Sequence, residues 1–431
     1  MIFDKCDAPN ALGEIRPTRK VLILKNIVVI GAGQAGAACV ARLRAEGFAG
    51  PITLIGAEPV PPYQRPPLSK AYLLGEMGLE RLLLRPESYY RDAGITLMLG
   101  CPVDAIDRAS RQVIVGGQTI PYDALVLTTG SVPRRLPAAI GGDLDGVHVV
   151  RGLADVDAMA PGLQPGRRAL IVGGGYIGLE AAAVARKRGM EVTLIEMAPR
   201  ILQRVAAPET SDYFRTLHRA HGVDLREGVG LTRLLGAGHV TGAVLSDGTE
   251  PSCDMVIAGI GIAPATALAE TAGLEIENGI KTDEHGRTSD PAIWAAGDCA
   301  SFPHQGGRIR LESVQNAIDQ AETVAQNILG AGMSYRPQPW FWSDQYDVKL
   351  QIAGLNTGYD RVVVRDGGPQ RSHWYYADDR LLAVDAMNDP RGYMIGKRLI
   401  AAGVSPDPAV VADPGQDLKS LLQGSVFDPK V

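Results

Sequence analysis

Short apolar runs that are each followed by glycine are the clearest pattern along the chain. Residues 27–30 read IVVI and residues 52–55 read ITLI, and residues 35–45 between them have the composition and apolar spacing of a helix that ends before Gly47. Apolar runs of this length are typical of strands that are buried on both faces of a parallel sheet. The segment therefore predicts a strand–helix–strand unit.

The same order of strand, glycines and helix occurs a second time. Residues 168–196 read RALIVGGGYIGLEAAAVARKRGMEVTLIE, in which Gly189 ends the predicted helix and residues 192–195 form the next strand. Gly31 and Gly173 are 142 residues apart (173 − 31), which fits two separate domains rather than a tandem array. The chain is therefore predicted to be an α/β protein with two Rossmann-like dinucleotide-binding domains.

Each unit carries the motif GxGxxG between its first strand and its helix. The motif glycines are Gly31, Gly33 and Gly36 in the first unit and Gly173, Gly175 and Gly178 in the second. The first glycine of such a turn allows a tight bend, the second lets the backbone approach a diphosphate, and the third lets helix and strand pack closely. The free N–H groups at the helix N-terminus bind the negative charge. Two such units predict two bound dinucleotides.

Acidic residues near the second strand of each unit indicate how the dinucleotides are held. Glu196 lies 23 residues after Gly173 (196 − 173), where a carboxylate accepts both ribose hydroxyls of NAD and repels the additional phosphate of NADP. Arg200 follows and weakens that exclusion, and on balance we expect NADH to be preferred. In the first unit either Glu58, or the backbone beside Ala57, holds the adenosine ribose.

Composition and charge exclude several other classes of protein. The chain has 431 residues, of which 45% are hydrophobic and 21% charged, and its net charge is −5. No apolar run reaches the length of about 18 residues that a membrane helix needs, and a negative net charge argues against a general nucleic-acid-binding protein. None of the five cysteines forms a CxxC pair. We therefore expect a cytoplasmic protein without a disulfide framework or a metal site.

Three further segments combine an apolar run with a glycine turn. They read YDALVLTTGSVP (122–133), DMVIAGIGIAP (254–264) and TSDPAIWAAGDCA (288–300). With two GxGxxG turns upstream, the chain resembles the two-dinucleotide-fold flavoprotein reductases, in which such segments lie beside the flavin and the nicotinamide nucleotide. The resemblance implies that Gly297 and Asp298 form the flavin motif in which the aspartate accepts a hydrogen bond from the ribityl chain of FAD.

The closer resemblance is to the FAD-dependent ferredoxin and rubredoxin reductases, which serve monooxygenase and dioxygenase systems. It rests on YQRPPLSKAYL (63–73), ESVQNA (312–317) and PWFWSDQYDVKLQIAG (339–354). The domains that it implies are an N-terminal extension (1–25), a discontinuous FAD-binding domain (26–136 and 266–336), an NAD-binding domain (137–265) and a C-terminal α+β interface domain (337–431).

The resemblance also implies roles for individual residues. Arg65 would lie on the flavin diphosphate, and Lys70 would lie near the flavin N5 and pair with Glu180. A cation beside N5 stabilises the anionic reduced flavin, and a carboxylate fixes that cation and faces the nicotinamide. The other expected contacts are Ala35, Val103, Thr129, Gly130, Arg134 and Val314 for FAD, and Tyr176, Ile177 and Gly261 for NAD.

The sequence lacks redox cysteines at the place where related disulfide reductases have them, and this indicates how electrons leave the reduced flavin. Disulfide reductases of this superfamily place redox cysteines beside the flavin, but residues 66–70 read PPLSK, and Cys39 fits a small core residue in the first helix. Electrons must therefore leave the reduced flavin directly. Trp342 matches the family tryptophan between the flavin and a docked [2Fe–2S] ferredoxin that supplies an oxygenase.

The surface around Trp342 should be locally basic, because such ferredoxins are acidic. Lys349, Lys397 and Arg398 are the candidates for that surface, and the enzyme is expected to be a monomer or a weak homodimer. Three alternatives stay open: reduction of a rubredoxin, reduction of a small acceptor such as a quinone, monodehydroascorbate or oxygen, and a non-catalytic role like that of apoptosis-inducing factor. His218 and His221 fit a polar helix face, since no third ligand accompanies them.

Overall fold

The computed structural model describes residues 24–422. Most of the expected N-terminal extension, residues 1–25, therefore lies outside the described residues. The first parallel sheet has five strands, whose order in space is Ile293–Ala295, Ala124–Leu127, Ile27–Ile30, Ile52–Ile55 and Ile95–Met98. The two strands beside one another at its centre, Ala124–Leu127 and Ile27–Ile30, are buried at every position, which explains their uninterrupted apolar sequences.

Two helices cover one face of this sheet. The helix predicted over 35–45 spans Gln34–Ala45, and the chain leaves it through Gly47, whose φ of +83° is left-handed. It packs on Val314–Ile328, with Val40 and Val324 in one shared apolar core. This packing holds the first GxGxxG turn at the carboxyl ends of the strands.

The second parallel sheet repeats this arrangement. Its strands lie in the order Asp224–Glu227, Glu191–Glu196, Arg168–Val172, Met255–Ala258 and Val147–His148. The helices around it are Leu153–Met159, Tyr176–Lys187 and Pro208–Ala220. The predicted strand at 192–195 is one residue longer at each end, so that Glu196 is its last residue.

The C-terminal part is an antiparallel sheet with helices beside it. Its strands lie in the order Trp340–Gln345, Val348–Gly354, Arg380–Met387, Gln370–Ala377 and Arg361–Gly367, and its helices are Pro390–Ala402 and Pro408–Ala412. The side chain of Asp389 caps the first of these helices by accepting from the Gly392 N–H at 2.8 Å. The α/β class with two dinucleotide-binding folds and an α+β C-terminal part is confirmed.

A buried polar cluster joins the C-terminal sheet to the helix Pro208–Ala220. The hydroxyl of Thr210 donates to Asp385 Oδ2 at 2.8 Å and lies 2.7 Å from Nδ1 of His373. The hydroxyl of Tyr375 also donates to Asp385. All four side chains are fully buried, so the carboxyl group of Asp385 lies in the interior of the protein.

Smaller elements complete the structure. The short strands are Ala105–Asp107, Gln112–Val115, Gln118–Pro121, Ser131–Pro133, Leu231–Ala237, His239–Leu245, Ile262–Pro264, Ile280–Lys281, Ala300–His304 and Gly307–Ile309. The short α-helices are Leu79–Leu82, Glu87–Asp92 and Ala267–Thr271, and 3₁₀ turns occur at Pro66–Ser69, Ala138–Ile140, Ala160–Gly162 and Leu418–Leu422. Between residues 24 and 422, no helix combines the length and apolar character needed to cross a membrane.

Candidate functional site

A large cavity lies where the two parallel sheets meet the edge of the C-terminal sheet. Its volume is about 1410 Å³, which exceeds the roughly 300–1,000 Å³ of ordinary small-molecule pockets. The predicted site residues that line it are Gly31, Gly33, Ala35, Ala57, Glu58, Arg65, Lys70, Thr129, Gly130, Arg134, Asp298, Val314, Gly173, Gly175, Tyr176, Ile177, Glu180, Glu196, Gly261 and Trp342. Gly36, Val103, Gly178 and Gly297 lie outside this lining.

The glycines of the two turns test whether dinucleotides fit. A Cβ atom added at Gly33 or Gly175 would meet nothing within 4 Å, so the backbone there is open to a ligand. A Cβ atom at Gly36 would instead lie 2.0 Å from the carbonyl oxygen of Gly31, and one at Gly178 would collide with the second turn in the same way. The second glycine of each motif is therefore free for a diphosphate, whereas the third permits close packing.

Two neighbouring arginines, Arg65 and Arg151, line the cavity. Arg65 pairs with Glu58 and donates to the carbonyl oxygen of Arg151 at 2.8 Å, and Tyr63 donates to the same Glu58 carboxylate. Burial lowers the pKa of Arg151, and the neighbouring charge of Arg65 lowers it further. Cations held side by side in this way suit a diphosphate.

Asp298 lies beside this pair of arginines. Its Oδ2 accepts a hydrogen bond from Ser131 Oγ at 2.8 Å and lies 3.5 Å from a guanidinium nitrogen of Arg151. Sequence alone does not identify the role of Ser131 or Arg151: Ser131 lies within the segment 122–133, whose pattern does not indicate what its serine contacts, and Arg151 belongs to no motif. Gly297, which precedes Asp298, has a φ of +82°. A glycine before the aspartate indicates a turn of this kind, because glycine adopts positive φ without strain.

The predicted pair Lys70 and Glu180 joins the loop of the first unit to the helix of the second. Nζ of Lys70 lies 2.7 Å from Oε2 of Glu180, which also accepts from Ser69 Oγ at 2.6 Å. The other carboxylate oxygen, Oε1, accepts from Ser343 Oγ at 2.7 Å. Glu180 is 4% exposed, so its carboxylate is buried. The Lys70 ammonium balances its charge, and the carboxylate has three donors, namely Lys70, Ser69 and Ser343.

Glu196 occupies the far end of the cavity. Its Oε2 accepts from the Gly174 N–H at 2.7 Å, and its Oε1 accepts from the Ala198 N–H at 2.8 Å. Arg200 lines the same cavity but donates to Ser211 Oγ at 2.6 Å, and among the described residues it forms no ion pair with Glu196. Backbone groups therefore fix the carboxylate.

Trp342 lies on the edge strand of the C-terminal sheet. It is paired with Gln351, and two residues further along, Asp344 is paired with Lys349 on the same face. Lys397 lies 5.1 Å above the ring of Trp340 and is half-buried. Lys349 and Arg398 are exposed.

Comparison with known proteins identifies the family. Residues 25–321 match the sequence profile of the pyridine nucleotide-disulphide oxidoreductases. The chain belongs to the pyridine nucleotide-disulphide oxidoreductase family. Residues 340–422 in addition match the reductase C-terminal domain. The family assignment confirms the predicted enzyme class, an oxidoreductase, and the predicted pair of cofactors, FAD and a nicotinamide dinucleotide.

Several relatives within this oxidoreductase family are similar over nearly their whole length. The chain is 46% identical to the ferredoxin–NAD(P)⁺ reductase of Sphingomonas sp., over 93% of this chain and 98% of the relative. It is 43% identical to the rhodocoxin reductase of Rhodococcus erythropolis, over 92% and 94%. A chain in the crystal structure of the covalent putidaredoxin reductase–putidaredoxin complex superposes with a TM-score of 0.90 at 41% identity, over 94% and 99%. The predicted resemblance to ferredoxin reductases is confirmed.

The positions of the cysteines bear on the disulphide chemistry that the family name mentions. Cys39 is fully buried in the core, as expected, and burial raises its pKa to about 12. Burial also raises the pKa of Cys299. Within the described residues, no cysteine lines the cavity.

Proposed function

We propose that this oxidoreductase accepts a hydride from NADH on bound FAD and passes the electrons, one at a time, to a [2Fe–2S] ferredoxin that supplies an oxygenase. The observation that carries the proposal is the ion pair of Lys70 and Glu180, which brings the FAD-side loop to the NAD-side helix. When bound, FAD supplies the conversion of a two-electron donor into one-electron steps. The printed names of the relatives support a ferredoxin as acceptor.

The residues of the chain bind, orient and stabilise charge in this proposal. Arg65 and Arg151 would hold the FAD diphosphate, and Asp298 would accept a hydrogen bond from the ribityl chain. The Lys70 ammonium would stabilise the negative charge of the reduced flavin, and Glu180 would fix the ammonium on the side of the nicotinamide. Positioning and charge are sufficient for hydride transfer, and no general base is required.

The same proposal includes a preference for NADH. Glu196 would accept the ribose hydroxyls of the coenzyme and repel a second phosphate. Its two backbone hydrogen bonds support this, because they fix the carboxylate toward the cavity. The bond from Arg200 to Ser211 supports it as well, since it draws the cation away from the place of that phosphate.

The ferredoxin would dock against the edge strand that carries Trp342. Lys349 lies on the same face of the sheet as Trp342, and Lys397 and Arg398 lie on the helix Pro390–Ala402 beside Trp340. These cations would attract an acidic partner and orient it over the tryptophan. We propose that the enzyme works as a monomer or weak homodimer in the cytoplasm, where NADH is available.

The test follows cytochrome c reduction by the FAD-loaded protein with NADH, with and without a two-iron ferredoxin. We expect a low rate alone and a steep rise with added ferredoxin. Consumption of quinone or oxygen that ferredoxin does not change would refute the docking proposal. A repeat with NADPH measures the coenzyme preference, and a ratio of kcat/KM values near one would contradict the role of Glu196.

A further inference from the structure

Two buried polar side chains on the edge strand have no part in the function proposed so far. Ser343 and Gln345 alternate with Trp342 and Asp344, so they point to the opposite face of the sheet. Both are fully buried, and their strand neighbours Val348 and Leu350 belong to the apolar core. A hydroxyl and an amide buried there destabilise the fold unless they are hydrogen-bonded.

Their hydrogen bonds form one continuous hydrogen-bond chain, which is called the chain in this subsection. Ser343 Oγ lies 2.7 Å from Glu180 Oε1, and Gln345 Nε2 lies 3.2 Å from Ser343 Oγ. Gln345 Oε1 in turn lies 2.9 Å from Nε2 of His218, and the hydroxyl of Tyr346 lies 3.3 Å from Nδ1 of the same ring. The chain thus links the helix Pro208–Ala220 to the carboxylate that holds Lys70.

The direction of every bond in this chain can be deduced from its end. An ionised Glu180 can only accept, so the single hydroxyl proton of Ser343 is donated to it. Ser343 Oγ must then accept from Gln345, which turns the amide nitrogen of Gln345 toward the serine and its oxygen toward His218. His218 must therefore carry its proton on Nε2, and its Nδ1 accepts from Tyr346.

The burial of His218 agrees with this direction. The ring is fully buried, and burial lowers its pKa to about 4, so at neutral pH it carries one proton and supplies one donor. All donors along the chain point toward Glu180. The result is a set of aligned dipoles whose positive ends face a buried negative charge.

We propose that Ser343 and Gln345 are positioning residues for hydride transfer, because their chain of donors from His218 fixes Oε1 of Glu180 and thereby aims its Oε2 at Lys70. This inference rests on the proposed function. Ser69 and Lys70 occupy Oε2, so the chain is the part that fixes Oε1. Loss of the chain would leave Oε1 without a donor in a buried site and remove one of the contacts that orient the carboxylate.

Other groups around Glu180 leave this assignment intact. Lys70 is its one ion-pair partner among the described residues, and Tyr176 is the titratable residue one turn earlier on its own helix. The strands beneath that helix contribute apolar side chains to the shared core: Ile171, Leu194 and Ile257. His218 reaches Glu180 only through the chain.

The test compares Ser343→Ala with Ser372→Ala in the FAD-loaded protein. Ser372 is an equally buried serine in the same sheet, but its partners are Asp389 and Trp374, so it controls for the loss of any buried hydroxyl. Infrared difference spectra at neutral pH resolve carboxylate stretching bands, whose frequencies change when a hydrogen bond to the carboxylate is lost, and the bands of Glu180 are those that Glu180→Gln removes. Stopped-flow reduction of the flavin by NADH gives the second readout.

We expect the Glu180 bands of Ser343→Ala to shift from their wild-type frequencies, because one of the three hydrogen bonds to the carboxylate is lost. The rate constant of flavin reduction by NADH should fall about tenfold. Ser343→Thr, which keeps the hydroxyl, should restore both, and Gln345→Met should change both in the same direction by less.

An unchanged band in Ser343→Ala and Gln345→Met, or an equal shift in Ser372→Ala, would overturn the inference. If Ser343→Ala does not fold, the Gln345→Met shift alone decides the question. Failure of the proposed function is recognised separately: NADH would then not reduce the wild-type flavin, or ferredoxin would not accept electrons, whatever the infrared spectra show.

Discussion

The buried carboxyl of Asp385 should make stability depend on pH in a direction that is uncommon for an aspartate. Burial raises its pKa from 3.8 to about 6, although hydrogen bonds from Tyr375 and Thr210 oppose the shift. Because the folded protein binds this proton more tightly than the unfolded chain does, the stabilising contribution is complete below pH 3.8 and is lost as the pH rises through about 6. A shift of about 2.2 pH units (6 − 3.8) corresponds to about 3 kcal/mol of unfolding free energy.

Asp385→Asn tests this reasoning, because the amide stays neutral at every pH. We expect the unfolding free energy of the variant, minus that of the wild type, to rise by about 1.5 kcal/mol between about pH 5 and about pH 8, which is the part of the total of about 3 kcal/mol that falls above pH 5. Urea denaturation followed by circular dichroism at several pH values measures it. His373 contacts Thr210 of the same cluster, but burial lowers its pKa and that of His218 to about 4, so both rings stay neutral in this range. A difference that stays constant or falls with pH would refute the argument.

Three further predictions concern the cavity. Glu196→Gln should raise the NADPH-to-NADH ratio of kcat/KM by about tenfold, since it removes the charge that repels the second phosphate; an unchanged ratio in steady-state kinetics would contradict this. Trp342→Ala should lower the ferredoxin-dependent rate by about tenfold and leave stopped-flow flavin reduction by NADH unchanged; equal losses in both assays would assign the tryptophan to the fold. Gly36→Ala should lower the unfolding free energy by about 1–3 kcal/mol, because its Cβ would lie 2.0 Å from a carbonyl oxygen. Gly33→Ala, whose Cβ meets open space, should keep that stability and lower the FAD content measured by absorbance.

The parts of the fold that the sequence predicts are those with a local signal. The two GxGxxG turns, the acidic residue Glu196 beside a strand and the absence of thiols near Lys70 each follow from a short stretch of residues. The strand at 192–195 was one residue short at both ends, because the polar residues Glu191 and Glu196 still take part in the ladder. Strand ends of this kind depend on neighbours rather than on local composition.

The parts that the sequence did not predict depend on contacts between distant segments. Arg151 belongs to no motif, and the segments that contain Ser131 and Ser343 do not indicate what these serines contact. Each of the three reaches the site only because separate strands and loops meet at the cavity. A pattern of apolar and polar positions marks Ser343 as a polar residue in a strand and does not indicate its partner. The domain boundaries and the roles of the individual site residues stay predictions.

The edge strand Trp340–Gln345 limits how this protein can change its redox partner during evolution. Its side chains alternate, so that Trp342 and Asp344 lie on one face while Ser343 and Gln345 contact the interior on the other. The insertion or deletion of one residue would exchange the two faces, put tryptophan against Glu180 and remove its hydroxyl donor. A lineage can therefore acquire a new ferredoxin by replacing side chains at alternate positions of this strand, but not by changing the length of the strand.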